Sequence, residues 1–244
     1  MQMDYRHRIY VQYGKNFQDA GGCFDVVSST RWSNSYRYYL RGWLPSNRQA
    51  DIVDLACGSG RLLHFFTKAG YRRVTGVDIS PDQIAIARQV VPNVVQSDVL
   101  SFLESHRVDF DLVIGLDIIE HFHKREVLHF LDQCFMALKH GGRIILQTPN
   151  AESTHGATCR YGDFTHEVCF SPNSLSRLLR LTGFSEVEAR ETGPVLLGSG
   201  LISFVRALLW NVIWIGLAIW NVVETGSRGS GIYTRNFLIS GVKK

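Results

Sequence analysis

An open, mostly parallel α/β sheet is the fold this sequence predicts, on three observations. Short β-branched runs alternate with helical periodicity from residue 51 onward, which is the mark of parallel βαβ units. A glycine-containing turn, Cys57-Gly58-Ser59-Gly60, follows the first run and leads straight into a helical pattern. Acidic residues close successive runs, with Asp78 after the second, Asp98 after the third and Asp117 after the fourth, at the sheet edge where open α/β folds bind ligands. The 244 residues are 45% hydrophobic and 20% charged, which supplies one large core and excludes disorder.

Residues 1–50 are expected to form an N-terminal helical segment that covers a cofactor or substrate, and residues 51–244 the main domain. The segment holds seven Lys/Arg against three Asp, and so carries the whole net charge of +4. Such a segment either attracts an anionic cofactor, substrate or lipid headgroup or is a solvated basic face. No basic run interleaved with aromatics argues for nucleic acid. Five cysteines without a CxxC pair, and a charged N-terminus without an apolar run, predict a reduced, cytoplasmic chain with no cleaved export signal.

Strands are expected at 51–56, 73–78, 93–97, 110–116 and 142–148, with helices at 61–68, 81–90, 101–104 and 125–139. The last helix shows Val127, Leu128, Leu131, Cys134, Phe135 and Leu138 on one stripe, as an amphipathic helix requires. Ser80-Pro81-Asp82-Gln83 combines an N-cap, a proline at the first helical position and a capping-box glutamine, and Ser171-Pro172 repeats the first two. Residues 150–170 form a long link, and so long a link inside one domain is more often functional than idle. A helix at 173–182, a strand at 184–190, an apolar stretch at 198–223 and a strand at 233–242 complete the chain.

The glycine turn has three readings. A phosphate-binding P-loop needs Gly-Lys-Ser/Thr, which is absent, and a dinucleotide fingerprint needs a third glycine where Leu63 stands. The third reading rests on the order Val53-Asp54-Leu55-Ala56-Cys57-Gly58-Ser59-Gly60, Gly76-Val77-Asp78-Ile79-Ser80, Gln96-Ser97-Asp98-Val99, Ile119-Glu120-His121-Phe122 and Leu138-Lys139-His140-Gly141-Gly142-Arg143. Together these motifs resemble the class I S-adenosylmethionine-dependent methyltransferases over residues 51–150. The resemblance implies a Rossmann-like seven-stranded sheet with the apolar helix inserted between strands six and seven. It also implies S-adenosylmethionine as cofactor. Asp54, Gly58 and Gly60 would cradle its methionine part, Asp78 its ribose, Ile79 its adenine, and Asp98 with Val99 the adenine edge. Ala56 stands where the usual loop has its first glycine, and Leu116 with Asp117 complete the cofactor wall after strand four.

An alcohol nucleophile gains roughly 10²- to 10⁴-fold from a positioned base, so the residues after strand five matter. His166 is the first candidate base, with Asp163 orienting it or binding a hydroxyl; the bland alternative is that His166 caps a helix or fills the wall. His121 is second, because a similar Glu-His follows strand four in quinone O-methyltransferases. A divalent ion on Asp117, Glu120 and His121 would suit Mg²⁺ or Mn²⁺ only loosely, and no metal is assigned. The run Gly162-Asp163-Phe164-Thr165-His166-Glu167 with Phe170-Ser171-Pro172 resembles a subgroup found with bacterial polysaccharide and glycolipid assembly. It implies a small-molecule or lipid-linked glycan acceptor with a sugar hydroxyl. The alternatives are a quinone or other lipid phenol, and a non-catalytic cofactor-binding module. Leu116-Asp117-Ile118-Ile119 replaces the Asn/Asp-Pro-Pro-Tyr-like tetrad of nucleic-acid amino-methylating enzymes.

In the apolar stretch, helical spacing puts Ser203, Arg206, Trp210, Trp214, Asn221 and Glu224 on one side. Ile202, Val205, Leu209, Val212, Ile219 and Val223 share the other. The pattern predicts an interfacial helix on the inner face of the membrane, its apolar side in lipid and its indoles near the headgroups. A buried helix and a homodimer seam through residues 200–223 are the alternatives.

Overall fold

A computed structural model of the chain describes residues 5–10, 22–195 and 200–244. Parts of the expected N-terminal segment, residues 1–4 and 11–21 with Lys15 among them, lie outside the described residues, as do Gly198 and Ser199 of the apolar stretch. Among the described residues two helices, α1 (Tyr5–Tyr10) and α2 (Val26–Tyr39), precede the sheet. The sheet alternates with helices as β1 (Asp51–Leu55), α3 (Arg61–Lys68), β2 (Arg73–Asp78), α4 (Pro81–Ala87), β3 (Val94–Gln96), α5 (Val99–Glu104) and β4 (Phe110–Leu116). A 3₁₀ turn (Ile119–His121), α6 (Lys124–Ala137), β5 (Leu138–Pro149), α7 (Gly156–Tyr161), α8 (Pro172–Leu181), β6 (Phe184–Glu191), α9 (Gly200–Thr225) and β7 (Asn236–Lys243) follow.

The strand order is β3-β2-β1-β4-β5-β7-β6. β1 to β5 pair in parallel, and β7 runs antiparallel to both β5 and β6. The chain order reverses beside β1, which opens a crevice at the carboxyl ends of β1 and β4. Both faces of the central strands are covered, so β1 and β4 are nearly continuous buried runs, whereas the edge strands β3 and β6 keep exposed or half-buried residues. Val53, Leu55, Val113 and Leu146 pack with Phe130, Leu131 and Cys134 of α6 on one face. Ile52, Leu112 and Ile114 pack with Tyr36 of α2 and Leu63 and Phe66 of α3 on the other.

Several boundaries and caps differ from the sequence pattern. The helix expected at 125–139 stops at Ala137, because Leu138 turns extended and pairs with Phe110 across a register shift, so β5 begins four residues before Gly142. On α6, Leu128 is exposed and Phe130 takes the core position expected of it. The helix after β3 starts at Val99 because Asp98 caps it, its Oδ1 accepting the Ser101 N–H at 3.0 Å. At α4, Ser80 caps by position without a side-chain bond, and Gln83 is buried, so no capping box forms there. The Ser171 cap of α8 is made as expected, at 3.2 Å to Ser174 N–H.

The apolar stretch is one helix between β6 and β7, but it is not a core helix, and its Trp210 and Trp214 indoles face the domain while Trp220 is exposed. The side bearing Ser203, Ala207, Trp210, Trp214 and Asn221 lies against the domain, while Ile202, Val205, Leu209, Val212, Ile219 and Val223 are exposed. Trp210 Nε1 donates to Glu191 at 3.3 Å and Trp214 Nε1 to the Gly231 carbonyl at 3.0 Å. Those indoles satisfy their polar edge inside the protein rather than at a headgroup.

The turn after β1 is left-handed at Ala56 (φ 55°), Gly58 (φ 52°) and Gly60 (φ 91°). A Cβ on Gly60 would stand 3.1 Å from the Ala87 backbone, so the turn packs tightly on α4. Alanine in this conformation costs about 1–2 kcal/mol, which explains why a glycine suits position 56. Ala56→Gly is therefore expected to hold or raise stability by up to about 1 kcal/mol in urea unfolding, the relief of strain offsetting the added chain entropy. A loss of about 1 kcal/mol, as at an ordinary position, would contradict a strained Ala56.

Candidate active site

The carboxyl ends of β1, β2 and β4 open into one cavity of about 730 Å³. Its walls include Ala56 and Gly58 from the glycine turn, Asp78 and Ile79 from the end of β2, and Asp98 and Val99 from the start of α5. Leu116 and Asp117 line it from the end of β4, and His121, Asp163 and His166 from farther along the chain. The sheet thus brings together eleven of the site residues singled out in the sequence. Asp54 and Gly60 are the exceptions, shaping the turn from behind the wall.

At the turn, Asp78 is the organising group. Its Oδ2 accepts the Gly58 N–H and its Oδ1 the Ser80 N–H, each at 2.8 Å. Burial raises its carboxyl above the usual range, against the opposing pull of the amide bonds from Ser80, Gly58 and Ile79. Asp54, fully inside, is pushed up well above the carboxylate range by burial and then by the Asp78 charge. Its Oδ2 accepts no hydrogen bond among the described residues. Two adjacent buried acids with an open acceptor are costly unless a cation or donor arrives.

Asp117 stands at the end of β4 in the left-handed conformation (φ 54°). Its carboxylate accepts both Gln147 Nε2 contacts, at 2.9 and 3.0 Å, and Gln147 Oε1 accepts the Tyr36 hydroxyl at 2.5 Å. The Tyr36 bond fixes which way the amide points. Asp117 is accessible from the cavity yet ringed by protein, and that surrounding raises its carboxyl. Glu120, buried behind it, is raised well above its usual range by burial and then by Asp117; Thr148 donates to one of its oxygens at 3.0 Å.

The long link folds back onto this end. The Glu120 carbonyl accepts the Glu167 and Val168 N–H groups at 2.8 and 3.1 Å, and the Arg160 guanidinium donates to the carbonyls of His166 and Glu167. Thr165, fully buried, donates its hydroxyl to Asp163 Oδ1 at 2.6 Å. With its one hydrogen used, the hydroxyl accepts from His121 Nδ1–H at 2.9 Å, so the bonding network assigns the lone pair to His121 Nε2. His166 Nδ1–H donates to the Cys159 carbonyl at 2.7 Å, which leaves its lone pair on Nε2 as well. The two rings meet edge-on with centroids 4.8 Å apart. Burial, then the neighbouring His166, pushes His121 down to about 4, so it is neutral at physiological pH.

Glu120, His121 and His166 each offer a ligand atom, all within 4.8 Å of one another. That trio can hold a divalent ion, and its third member is His166 where the sequence pattern had grouped Asp117. Several wall groups escaped the sequence. Arg6 and Tyr10 reach the cavity from α1, Gln83 from α4 and Asn236 from β7. Arg6 is anchored to Glu126 by two bonds of 2.8 and 3.1 Å. Only the basic character of the N-terminal segment hinted at α1, while Gln83 carried a signal that had been read as helix capping.

A sheet in this order, with a left-handed glycine turn and acids at successive strand ends, defines a class I methyltransferase scaffold. The sequence profile of a family described as a methyltransferase domain matches residues 31–189, and the chain belongs to that family. A probable S-adenosylmethionine-dependent methyltransferase of Mycolicibacterium smegmatis is 28% identical over 153 residues, 62% of this chain and 57% of that protein. A ubiquinone biosynthesis O-methyltransferase of a Bradyrhizobium species is 32% identical over 103 residues, 41% of this chain and 40% of its own length. The matches thus span between two fifths and three fifths of these relatives. The crystal structure of a SAM-dependent methyltransferase from Archaeoglobus fulgidus superposes with a TM-score of 0.63 at 20% identity, covering 98% of this chain and all of the other. That likeness is one of fold.

S-adenosylmethionine is the cofactor of this family and fold, and the residues present fit it. The cavity pairs an apolar slot at Ile79 and Val99 with carboxylates able to take hydroxyls and offset a cationic group, and Asp54 holds a buried acceptor in want of a donor. Asp54 makes a stability prediction. As pH rises above the ordinary carboxylate range, the unfolded Asp54 ionises while the folded one keeps its proton, so wild-type stability falls with rising pH in that window. Asp54→Asn removes this penalty and is expected to stabilise the cofactor-free protein by on the order of 1 kcal/mol at pH 7, with the gain vanishing toward pH 4. Thermal unfolding at both pH values tests it, and an equal destabilisation at both would contradict the buried-charge account.

Proposed function

We propose that this protein transfers a methyl group from S-adenosylmethionine to a hydroxyl of a sugar or glycan in the cytoplasm. The observation that carries the reading is His166 in the cavity wall, its Nδ1–H donating to the Cys159 carbonyl so that the lone pair sits on Nε2, with the His121 ring edge-on beside it. A neutral imidazole with a fixed tautomer is a base already prepared to take a proton. An alcohol needs such a base because it is almost wholly protonated near neutrality.

S-adenosylmethionine, when bound, supplies a methyl group already activated on a sulfonium. Asp78 would hold the ribose hydroxyls, Ile79 the adenine face, and Asp98 with Val99 the adenine edge. Gly58 and Ala56, with Gly60 and Asp54 shaping the turn behind them, would receive the methionine part. Leu116 and Asp117 stand where that end meets the histidines. His166 is the favoured base and takes the acceptor proton at Nε2. Asp163 acts through Thr165, holding His121 in the matching tautomer. Holding acceptor and donor in line can lower the barrier by roughly 7–11 kcal/mol, and the base adds roughly 10²- to 10⁴-fold.

The acceptor end is dense in hydrogen-bonding groups, among them Arg6, Glu126, Asp163 and Asn236, which suits a polyhydroxyl better than a flat ring. Methylation of a quinol or other lipid phenol is the second reading, favoured by the names of the O-methyltransferase relatives. The two differ in their need of a base. With tritiated S-adenosylmethionine, His166→Ala is expected to cost roughly 10²- to 10⁴-fold in transfer to nucleotide sugars or lipid-linked glycans, and only a few-fold in transfer to catechols. Transfer to catechols alone would establish the second reading. Cofactor binding without transfer to any acceptor would leave a non-catalytic binding module.

A further inference from the structure

Helix α9 presents a surface that the methyl-transfer site does not use. Over its 26 residues, about 39 Å at 1.5 Å per residue, it touches the domain along a narrow stripe. Ser203, Ala207, Trp210, Trp214, Leu217 and Asn221 lie on that stripe and are buried or half-buried from one end of the helix to the other. Opposite, at 100° per residue, an arc of about 180° carries only apolar side chains and one glycine. Leu201, Leu208, Val212 and Ile219 run along its middle, Phe204 and Trp220 toward its two edges, and all are exposed. Polar residues appear only where the arc ends, with Arg206 and Glu224 at one border and Asn211 at the other.

We propose that α9 lies in the plane of an anionic phospholipid bilayer, with this arc immersed below the headgroups. Three observations choose that occupant. A helix-to-helix seam with a second copy needs only the narrow stripe of two positions in seven, so it would leave both flanks of a half-cylinder in water, whereas lipid covers the whole arc. One border carries the basic groups: Arg206 and, just past the helix, Arg228 are exposed, and Arg206 neighbours the turn that carries exposed Arg41 beside Tyr39. The only acid on that border, Glu224, is engaged by the Trp220 indole at 2.9 Å. Anionic headgroups complement that rim.

The helix cannot cross the bilayer. β6 enters it, β7 leaves it, and those strands pair with each other in one sheet, so both ends of α9 return to the same side. A half-immersed helix docked through Trp210 and Trp214 on the loops beside β6 and β7 is the geometry left. The loop just past the far end of α9 is tied to the link that, farther along, lines the active site. Gly229 lies near Asn221, Ser230 is bonded to Glu152, and Glu152 belongs to the link whose Thr158 and Gly162 line the cavity. The inference goes beyond the acceptor reading, and its test is independent of catalysis.

The test is flotation of the full chain with vesicles of phosphatidylcholine and phosphatidylglycerol at 7:3, and with phosphatidylcholine alone. Wild type is expected to float with the anionic vesicles, more weakly at high salt, and Trp220 emission to shift to the blue. The paired variant Val212→Asp with Ile219→Asp changes only exposed side chains, and its thermal transition and S-adenosylhomocysteine binding should match wild type while vesicle binding falls at least tenfold. Trp220→Phe should remove the spectral shift and keep most of the binding. Absence of wild-type binding, equal binding by the paired variant, or a dimer in sedimentation equilibrium that this variant dissociates while wild type ignores vesicles, would each overturn the proposal.

Discussion

Two hydrogen bonds from one carboxylate hold the cavity in shape. Asp78 ends β2, yet its oxygens grip the amide of Gly58 from the neighbouring β–α turn and the amide of Ser80 at the start of α4. A short side chain therefore fixes the distance between the glycine turn and the strand beside it. With that distance fixed, the left-handed backbone at residues 56, 58 and 60 packs on α4, and the crevice beside β1 becomes a walled cavity. Without it, the turn would lose its anchor and the buried Asp54 its surroundings.

The same end of the protein stores unfavourable electrostatics. Asp54, Asp78, Asp117 and Glu120 are all raised by burial, and Asp54 and Glu120 are raised further by their acidic neighbours. Such groups destabilise a resting protein unless a ligand compensates them. A cofactor with hydroxyls and positive charge is that ligand. At the other end the charge is arranged differently: His121 is neutral, with the Thr165 hydroxyl bonded to both its ring and the Asp163 carboxylate, so it adds no positive charge beside a cationic donor.

Local periodicity carried much of the fold into view. The spans of β2, β4 and α3 match the sequence pattern residue for residue because their apolar runs end at unambiguous turns. The glycine turn and strand-end acids were legible for the same reason, each lying next to the strand that places it. What sequence could not reveal depends on partners distant along the chain. Thr165 is an ordinary threonine until the fold sets His121 beside it, and Gln147 is a strand residue until Tyr36 and Asp117 meet it. Arg6 and Tyr10 reach the cavity from a short helix with little periodicity of its own. For α9 the helical wheel sorted the two faces correctly, but which face met the protein turned on hydrogen bonds from Trp210 and Trp214 to groups in neighbouring loops.

The central claim is that one cavity has two ends, a cofactor end built on Asp78 and an acceptor end built on the two histidines. A crystal structure of the complex with S-adenosylhomocysteine tests it most directly. The account predicts the ribose hydroxyls on the Asp78 carboxylate, the adenine between Ile79 and Val99, and the sulfur turned toward His121 and His166. An adenosine bound at the histidine end, or a sulfur facing away from both imidazoles, would contradict it.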